Sequence, residues 1–118
     1  MAGRLTTHVL DTARGVPGGG IQVALFRLSP DGRECIARTI TNANGRTDAP
    51  LLEGDAFKTG RYELEFATAA YFRTHGVALA DPPFLDDVVL RFAIADAHAH
   101  YHVPLLVSPW SYATYRGS

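Results

Sequence analysis

Histidine is the residue type in this chain best suited to acid–base or metal chemistry, and three of the five histidines alternate in one short segment, at positions 98, 100 and 102. Residues two apart on an extended strand share a face, so this spacing is compatible with a zinc site built from neutral imidazoles. No neighbouring cysteine or carboxylate pair completes such a site. The alternative is that His98 and His100 lie, solvated, in the loop before the strand. Both interpretations stay open.

The remaining candidates for chemistry are isolated residues. His8 lies among threonines and aliphatic residues, where it is either a hydrogen-bonded structural histidine or a site residue. The sequence contains no Gly-x-Ser-x-Gly elbow, no P-loop and no Gly-x-Gly-x-x-Gly turn opening a helix. Cys35 is the one cysteine, which excludes an internal disulfide, and we expect it to be a small buried core residue.

The C-terminal segment is unusually aromatic for the end of a chain. It carries Trp110, Tyr112, Tyr115 and Arg116, whereas most domain ends are polar and fray. The two tyrosines are either packing residues of a final strand or functional groups, and composition does not decide between these hypotheses.

Composition and charge exclude several classes of protein. The 118 residues correspond to one domain, spanning 1–118, which is too small to enclose a deep pocket without a second chain. Eleven Lys and Arg against twelve Asp and Glu argue against nucleic acid or an anionic membrane as a partner. The apolar stretches are shorter than the roughly 20 residues of a transmembrane helix, and the N-terminal residues lack a secretory signal. We therefore expect a cytoplasmic protein.

The elements that must position these residues are short β-strands separated by turns. Alternation in RYELEFAT (61–68) predicts a half-solvated strand. Residues 69–75 are the one plausible helix. Residues 15–20 cannot continue a strand or helix and separate the segments 5–12 and 21–28, and Pro104 implies an edge strand or a bulge. Seven or eight closely spaced strands favour an all-β sandwich. The segments concerned are 5–12, 21–28, 35–41, 61–68, 88–94, 101–107 and 110–116.

Several blocks of the sequence resemble one family, the transthyretin-like 5-hydroxyisourate hydrolases. The resemblance covers nearly the whole chain, and the two terminal blocks are highly specific together. The Tyr-Arg-Gly-Ser ending separates these hydrolases from transthyretin, the hormone carrier of the same fold. The blocks are LTTHVLD at 5–11 followed by GVP at 15–17, TNANGRTD at 41–48, GRYEL at 60–64, YHVPLLVSPWSY at 101–112 and YRGS at 115–118.

This resemblance implies a transthyretin-like two-sheet β-sandwich with one short helix, assembled as a homotetramer. It also implies hydrolytic opening of a ring amide of 5-hydroxyisourate in urate degradation, without a metal or organic cofactor. The residues it marks as catalytic are His8, Arg46, His102, Tyr115 and Ser118. Those it marks as substrate-binding are His8, Arg46, Tyr115, Arg116 and Gly117.

The residue types suit this reaction. Imidazole titrates close to neutral pH and can deprotonate water, and the guanidinium of Arg46 can stabilise a developing oxyanion. We expect one histidine to be the general base and the other, with Arg46, to polarise the carbonyl; the sequence does not assign the two roles. The alternatives are a small-molecule carrier with an apolar channel, which two imidazoles and the polar tail oppose, and a zinc hydrolase that uses His98, His100 and His102.

Overall fold

Residues 3–117, which the computed structural model describes, form nine β-strands, one α-helix and one short 3-10 turn at Gly54–Ala56. The helix, α1, spans Thr68–Thr74. The all-β class with one short helix is therefore confirmed, and each expected strand is present with its ends displaced by at most three residues. The strands are β1 Arg4–Asp11, β2 Val16–Pro17, β3 Gln22–Ser29, β4 Gly32–Ile40, β5 Leu52–Glu53, β6 Gly60–Phe66, β7 Val88–Ile94, β8 His100–Val107 and β9 Tyr112–Thr114.

Two of these strands, β2 and β5, have only two residues each and were not expected. Strand β2 lies in the glycine-rich segment 15–20, which separates β1 from β3 as expected. Val16 and Pro17 pair with Asp11 and Leu10 of β1, because an antiparallel neighbour can return directly after a tight turn.

The strands form two facing sheets. The first has the order β2-β1-β8-β9, with β5 also pairing with β1, and the second has the order β4-β3-β6-β7. Strands β1 and β8 are parallel, with Thr6 opposite His102, whereas the other pairs are antiparallel. Since β1 lies near the start of the chain and β8 near its end, the two ends of the sequence meet in one sheet.

The core lies between the sheets and follows the predicted alternation. Tyr62, Leu64 and Phe66 of β6 are fully buried, and each such side chain contributes about 1.5–3 kcal/mol by leaving water. Glu63, on the other face of β6, is only 7% exposed because Arg33 and Arg91 flank its carboxylate. The outer face of β6 is therefore less solvated than predicted.

Helix α1 is attached to the end of β1 by a buried polar contact. The Tyr71 hydroxyl donates a hydrogen bond of 2.7 Å to Oδ2 of Asp11, whose side chain is inaccessible to solvent. Arg14 donates to the same oxygen through Nε at 3.1 Å. Within residues 3–117, no helix has the length and apolar character needed to cross a membrane.

Cys35 is exposed, so the prediction of a buried cysteine is wrong. Strand β4 lies at the edge of its sheet, and its register with β3 is shifted at Ile36. Beyond that shift Cys35 lies opposite Phe26, while Ile36 and Ala37 pack against the core. The irregularity, which no local pattern reveals, places the thiol on the outer face.

Pro104 occupies a strand with neighbours on both sides, so the expectation of an edge strand is wrong. Strand β8 pairs with the C-terminal segment at two places, where Leu105 lies opposite Thr114 and His102 lies opposite Gly117. Both pairings belong to the same antiparallel register. The ladder is interrupted between them, at Pro104, which has no N–H to donate. The Thr114 hydroxyl instead donates to the Pro104 carbonyl at 2.7 Å.

Candidate active site

The parallel pairing of β1 with β8 places two histidines from opposite ends of the chain side by side. His8 of β1 is paired with Pro104, two residues beyond His102 on β8. Their ring centroids are 6.4 Å apart and both side chains are partly buried. A substrate of a few ångströms in width can therefore contact both imidazoles on the same face of the sheet.

Arg46 joins this face through the turn that precedes it. The Asn42 side chain accepts hydrogen bonds from the backbone of Asn44 and Arg46, and Arg46 forms an antiparallel bridge with His8. The turn requires glycine at position 45, whose φ is +75° and where a Cβ would collide with the Val9 carbonyl. Local turn chemistry thus places the backbone of Arg46 beside that of His8 on this face of the sheet.

The C-terminal segment reaches the second imidazole through Gly117. Its N–H donates a hydrogen bond of 2.7 Å to the His102 carbonyl, and a Cβ at this position would lie 2.8 Å from Cδ2 of His102. Ser118, predicted to be catalytic, lies outside the described residues.

Two other predicted tail residues lie away from the imidazoles within one chain. Tyr115 is 60% exposed. The Arg116 guanidinium lies over the ring of Tyr101, 4.0 Å from its centroid, and Tyr101 is a buried residue of the core. Tyr115 and Arg116 therefore line a separate groove, between β7 and β9.

The histidine-rich segment divides at the start of β8. His98 is exposed and precedes the strand, in a turn where its N–H donates to Asp96 at 2.8 Å. His100 lies within β8 on the face of His102, with ring centroids 6.2 Å apart. The loop interpretation thus holds for His98, and the strand interpretation holds for His100. Residues 3–117 contain no group of three or more His, Cys, Asp or Glu side chains arranged to hold a metal ion.

Sequence reasoning missed Thr6, which lies between these two imidazoles. Its hydroxyl is 2.8 Å from Nε2 of His100 and 2.8 Å from Nδ1 of His102. The available signal was its position two residues before His8, which puts both on one face of β1. That signal becomes specific only once β8 is known to be the neighbouring strand.

Burial and neighbouring positive charges lower the pKa values of the three imidazoles. Burial lowers the pKa of His102, and the charge of Arg46 together with the neighbouring His100 and His8 lowers it further. For His8, burial and then Arg46 lower the pKa, while a hydrogen bond to the Asn44 backbone partly offsets them. Burial, followed by the charge of Arg4, lowers the pKa of His100. At neutral pH such imidazoles are proton acceptors.

His100, His102 and Arg46 border an open groove of about 460 Å³, which is in the range of small-molecule sites. Polar side chains dominate its lining, so it suits a polar heterocycle. The arrangement offers neutral bases to activate water and a guanidinium to stabilise an oxyanion. The lining includes Arg4, Thr6, Arg46, Asp48, His100 and His102.

Comparison with known proteins identifies the family of this chain. Residues 5–117 match the HIUase/Transthyretin family. The chain belongs to this family. It is 61% identical to the 5-hydroxyisourate hydrolase of Ralstonia nicotianae, over 98% of this chain and 99% of that protein.

Solved structures share the fold. A transthyretin from Sparus aurata superimposes with a TM-score of 0.85 at 31% identity, covering 97% of this chain and 96% of that one. An (S)-allantoin synthase gives a TM-score of 0.94 at 46% identity and covers 99% of this chain, which spans 44% of that longer protein. The predicted transthyretin-like sandwich is confirmed.

Proposed function

We propose that this family member hydrolyses 5-hydroxyisourate to 2-oxo-4-hydroxy-4-carboxy-5-ureidoimidazoline, a step of urate degradation. The observation that carries the proposal is the shared sheet face on which His8 and His102 lie 6.4 Å apart with Arg46 bridged to His8. The relative from Ralstonia nicotianae, at 61% identity, bears the name of this activity.

The reaction needs one base, one oxyanion partner and one acid. A neutral imidazole takes a proton from water as the water oxygen bonds to the ring carbonyl carbon, and the carbonyl electron pair moves to oxygen. Arg46 stabilises that oxyanion. When the carbonyl re-forms, the ring C–N bond breaks and an imidazolium returns its proton to the departing nitrogen. These steps balance in protons and need no cofactor.

We further propose that the chain works as a homotetramer in which the C-terminal tails complete the sites. Strands β7 and β9 end their sheets, and unpaired edge strands are normally covered in stable proteins. Trp110 and Tyr112, beside and within β9, are 66% and 47% exposed, as expected of a surface that packs on another chain. In the assembly, Tyr115 and Arg116 would line a channel between subunits. A cytoplasmic location stays a prediction.

A carrier function fits this groove poorly. An apolar ligand would have to displace water from two guanidinium groups and two imidazoles without replacing their hydrogen bonds, which is costly. The polar lining favours a substrate rich in carbonyl and N–H groups.

The decisive experiment follows the ultraviolet absorbance of freshly prepared 5-hydroxyisourate with and without the purified protein. We expect catalytic amounts of protein to accelerate the decay, and His102→Gln to abolish most of the acceleration. Stoichiometric binding without faster decay would instead indicate a carrier. Loss of activity on chelation and its recovery with zinc would indicate a zinc hydrolase.

A further inference from the structure

A single hydroxyl group connects the second site histidine to a third imidazole. Thr6 Oγ1 lies 2.8 Å from Nδ1 of His102 and 2.8 Å from Nε2 of His100. The parallel register explains this placement, because Thr6 is opposite His102 and Arg4 is opposite His100. Neither the family resemblance nor the proposed hydrolysis assigns a role to Thr6 or His100.

Counting hydrogens restricts the protonation of this trio. A hydroxyl group carries one hydrogen, so it can donate to at most one of the two ring nitrogens, and at least one of these nitrogens must donate to the hydroxyl oxygen. If Thr6 donates to Nδ1 of His102, that imidazole carries its proton on Nε2 and has no free lone pair for water. If Nδ1 of His102 donates to Thr6, Nε2 keeps a free lone pair and the Thr6 hydrogen is available to Nε2 of His100.

We propose that Thr6, supported by His100, is a positioning residue that holds His102 with its proton on Nδ1 and thereby makes Nε2 the base that activates water. This role rests on the proposed hydrolysis. When Nε2 takes the proton from water, Nδ1 still donates to Thr6 and Thr6 still donates to His100, so no hydrogen bond in the trio has to rearrange.

The charged and titratable groups around His102 are consistent with a neutral imidazole that acts as a base. Arg4 and His8 come from β1, Arg46 and Asp48 from the loop after β4, and His100 from β8. The Asp48 carboxylate accepts a hydrogen bond of 3.0 Å from the Asn42 side chain. The cations disfavour the imidazolium at rest, so the neutral form that can accept a proton predominates.

The test combines nitrogen NMR of the imidazoles with kinetics. In the wild-type protein we expect ¹⁵N shifts that show His102 protonated at Nδ1 and unprotonated at Nε2. In Thr6→Val, which keeps the shape and removes the hydroxyl, this preference should be lost, kcat should fall about 10- to 100-fold, and KM should change little. Thr6→Ser should restore the tautomer and most of kcat. His100→Gln should weaken the tautomer preference of His102 and lower kcat, each by less than Thr6→Val does.

Two variants serve as controls. Thr39→Val makes the same exchange on β4 of the other sheet, and His98→Gln removes an exposed imidazole two residues before His100. Both should keep the wild-type shifts and the wild-type dependence of kcat on pH.

The outcomes separate this role from the proposed reaction. A wild-type His102 protonated at Nε2 overturns the proposal, as does a Thr6→Val protein with an unchanged tautomer and pH profile. If Thr6→Val fails to fold, the ¹⁵N shifts of His102 in the wild type and in His100→Gln test the proposal instead. A wild-type protein that shows the Nδ1 tautomer but does not accelerate substrate decay would instead contradict the proposed hydrolysis.

Discussion

Gly117 lies so close to the imidazole of His102 that any side chain at position 117 would displace one of the two residues. The backbone hydrogen bond between them measures 2.7 Å, and a Cβ on Gly117 would be 2.8 Å from Cδ2 of His102. The other histidine has an equivalent neighbour, since a Cβ on Gly45 would lie 3.3 Å from Cδ2 of His8. The imidazoles of His8 and His102 are therefore each in close contact with a glycine, Gly45 of the turn and Gly117 of the C-terminal segment.

Replacing Gly117 with alanine should impair catalysis more than folding. The methyl group must push His102 or the tail by several tenths of an ångström, and a small misplacement of a catalytic group can cost about 100-fold in rate. We expect Gly117→Ala to lower kcat by about 10- to 100-fold while the unfolding midpoint stays near that of the wild type. Gly32→Ala is the matched control. Gly32 has a φ of +128°, so an alanine there would be strained, in a turn far from the site. It should lower the unfolding midpoint and leave kcat unchanged.

Replacing His8, Arg46 or His102 should slow substrate decay while the assembly stays intact. We expect His8→Gln, Arg46→Gln and His102→Gln each to reduce kcat/KM by about 10²- to 10⁴-fold, the contribution typical of an acid–base group or an oxyanion partner. His98→Gln and Arg61→Gln, which change exposed residues, are the controls. Substrate decay and light scattering measure the two properties, and near-normal rates in all three variants would refute the assignment.

Arg46→Lys distinguishes the shape of the guanidinium from its charge. Lysine retains the charge but offers no planar pair of donors. If Arg46 forms two hydrogen bonds to the oxyanion, Arg46→Lys should recover only a small part of the activity lost in Arg46→Gln, by the same decay assay. Full recovery would mean that charge alone suffices.

The sequence was sufficient for features that depend on local pattern. Alternation in β6 correctly placed Tyr62, Leu64 and Phe66 in the core, and residues 69–75 were found almost unchanged as α1. His8, Arg46 and His102 were selected by resemblance to a family, and the structure brings them together. Features that depend on the register between distant strands were not accessible. Thr6 acquires its neighbours only through the parallel pairing of β1 with β8, and Cys35 is exposed only because β4 is irregular beside β3.

Asp11 should contribute to stability in a pH-dependent way. Burial by itself raises the pKa of this carboxyl, but hydrogen bonds from Tyr71 and Arg14 outweigh it, so the pKa in the folded protein is lowered from 3.8. A lowered pKa means that the contribution is complete well above pH 3.8 and is lost as the pH falls below that value. Asp11→Asn should lower the free energy of unfolding at pH 7 by about 2 kcal/mol and weaken its acid dependence. Denaturant unfolding at several pH values measures both, with exposed Asp31→Asn as the control.

The pH dependence of kcat/KM should report the neutral imidazoles. Burial and the charge of Arg46 lower the pKa of His102 below 6.5, and a general base must be unprotonated to act. We therefore expect kcat/KM to be nearly constant around neutral pH and to fall on acidification, with a midpoint below 6.5. Arg46→Gln removes a positive neighbour, so the imidazolium becomes easier to form and the midpoint should move to higher pH, whereas Arg46→Lys should leave it in place. A midpoint that is the same in Arg46→Gln as in the wild type would show that the guanidinium does not act on the imidazoles electrostatically, and its effect on rate would then have to come from contact with the substrate.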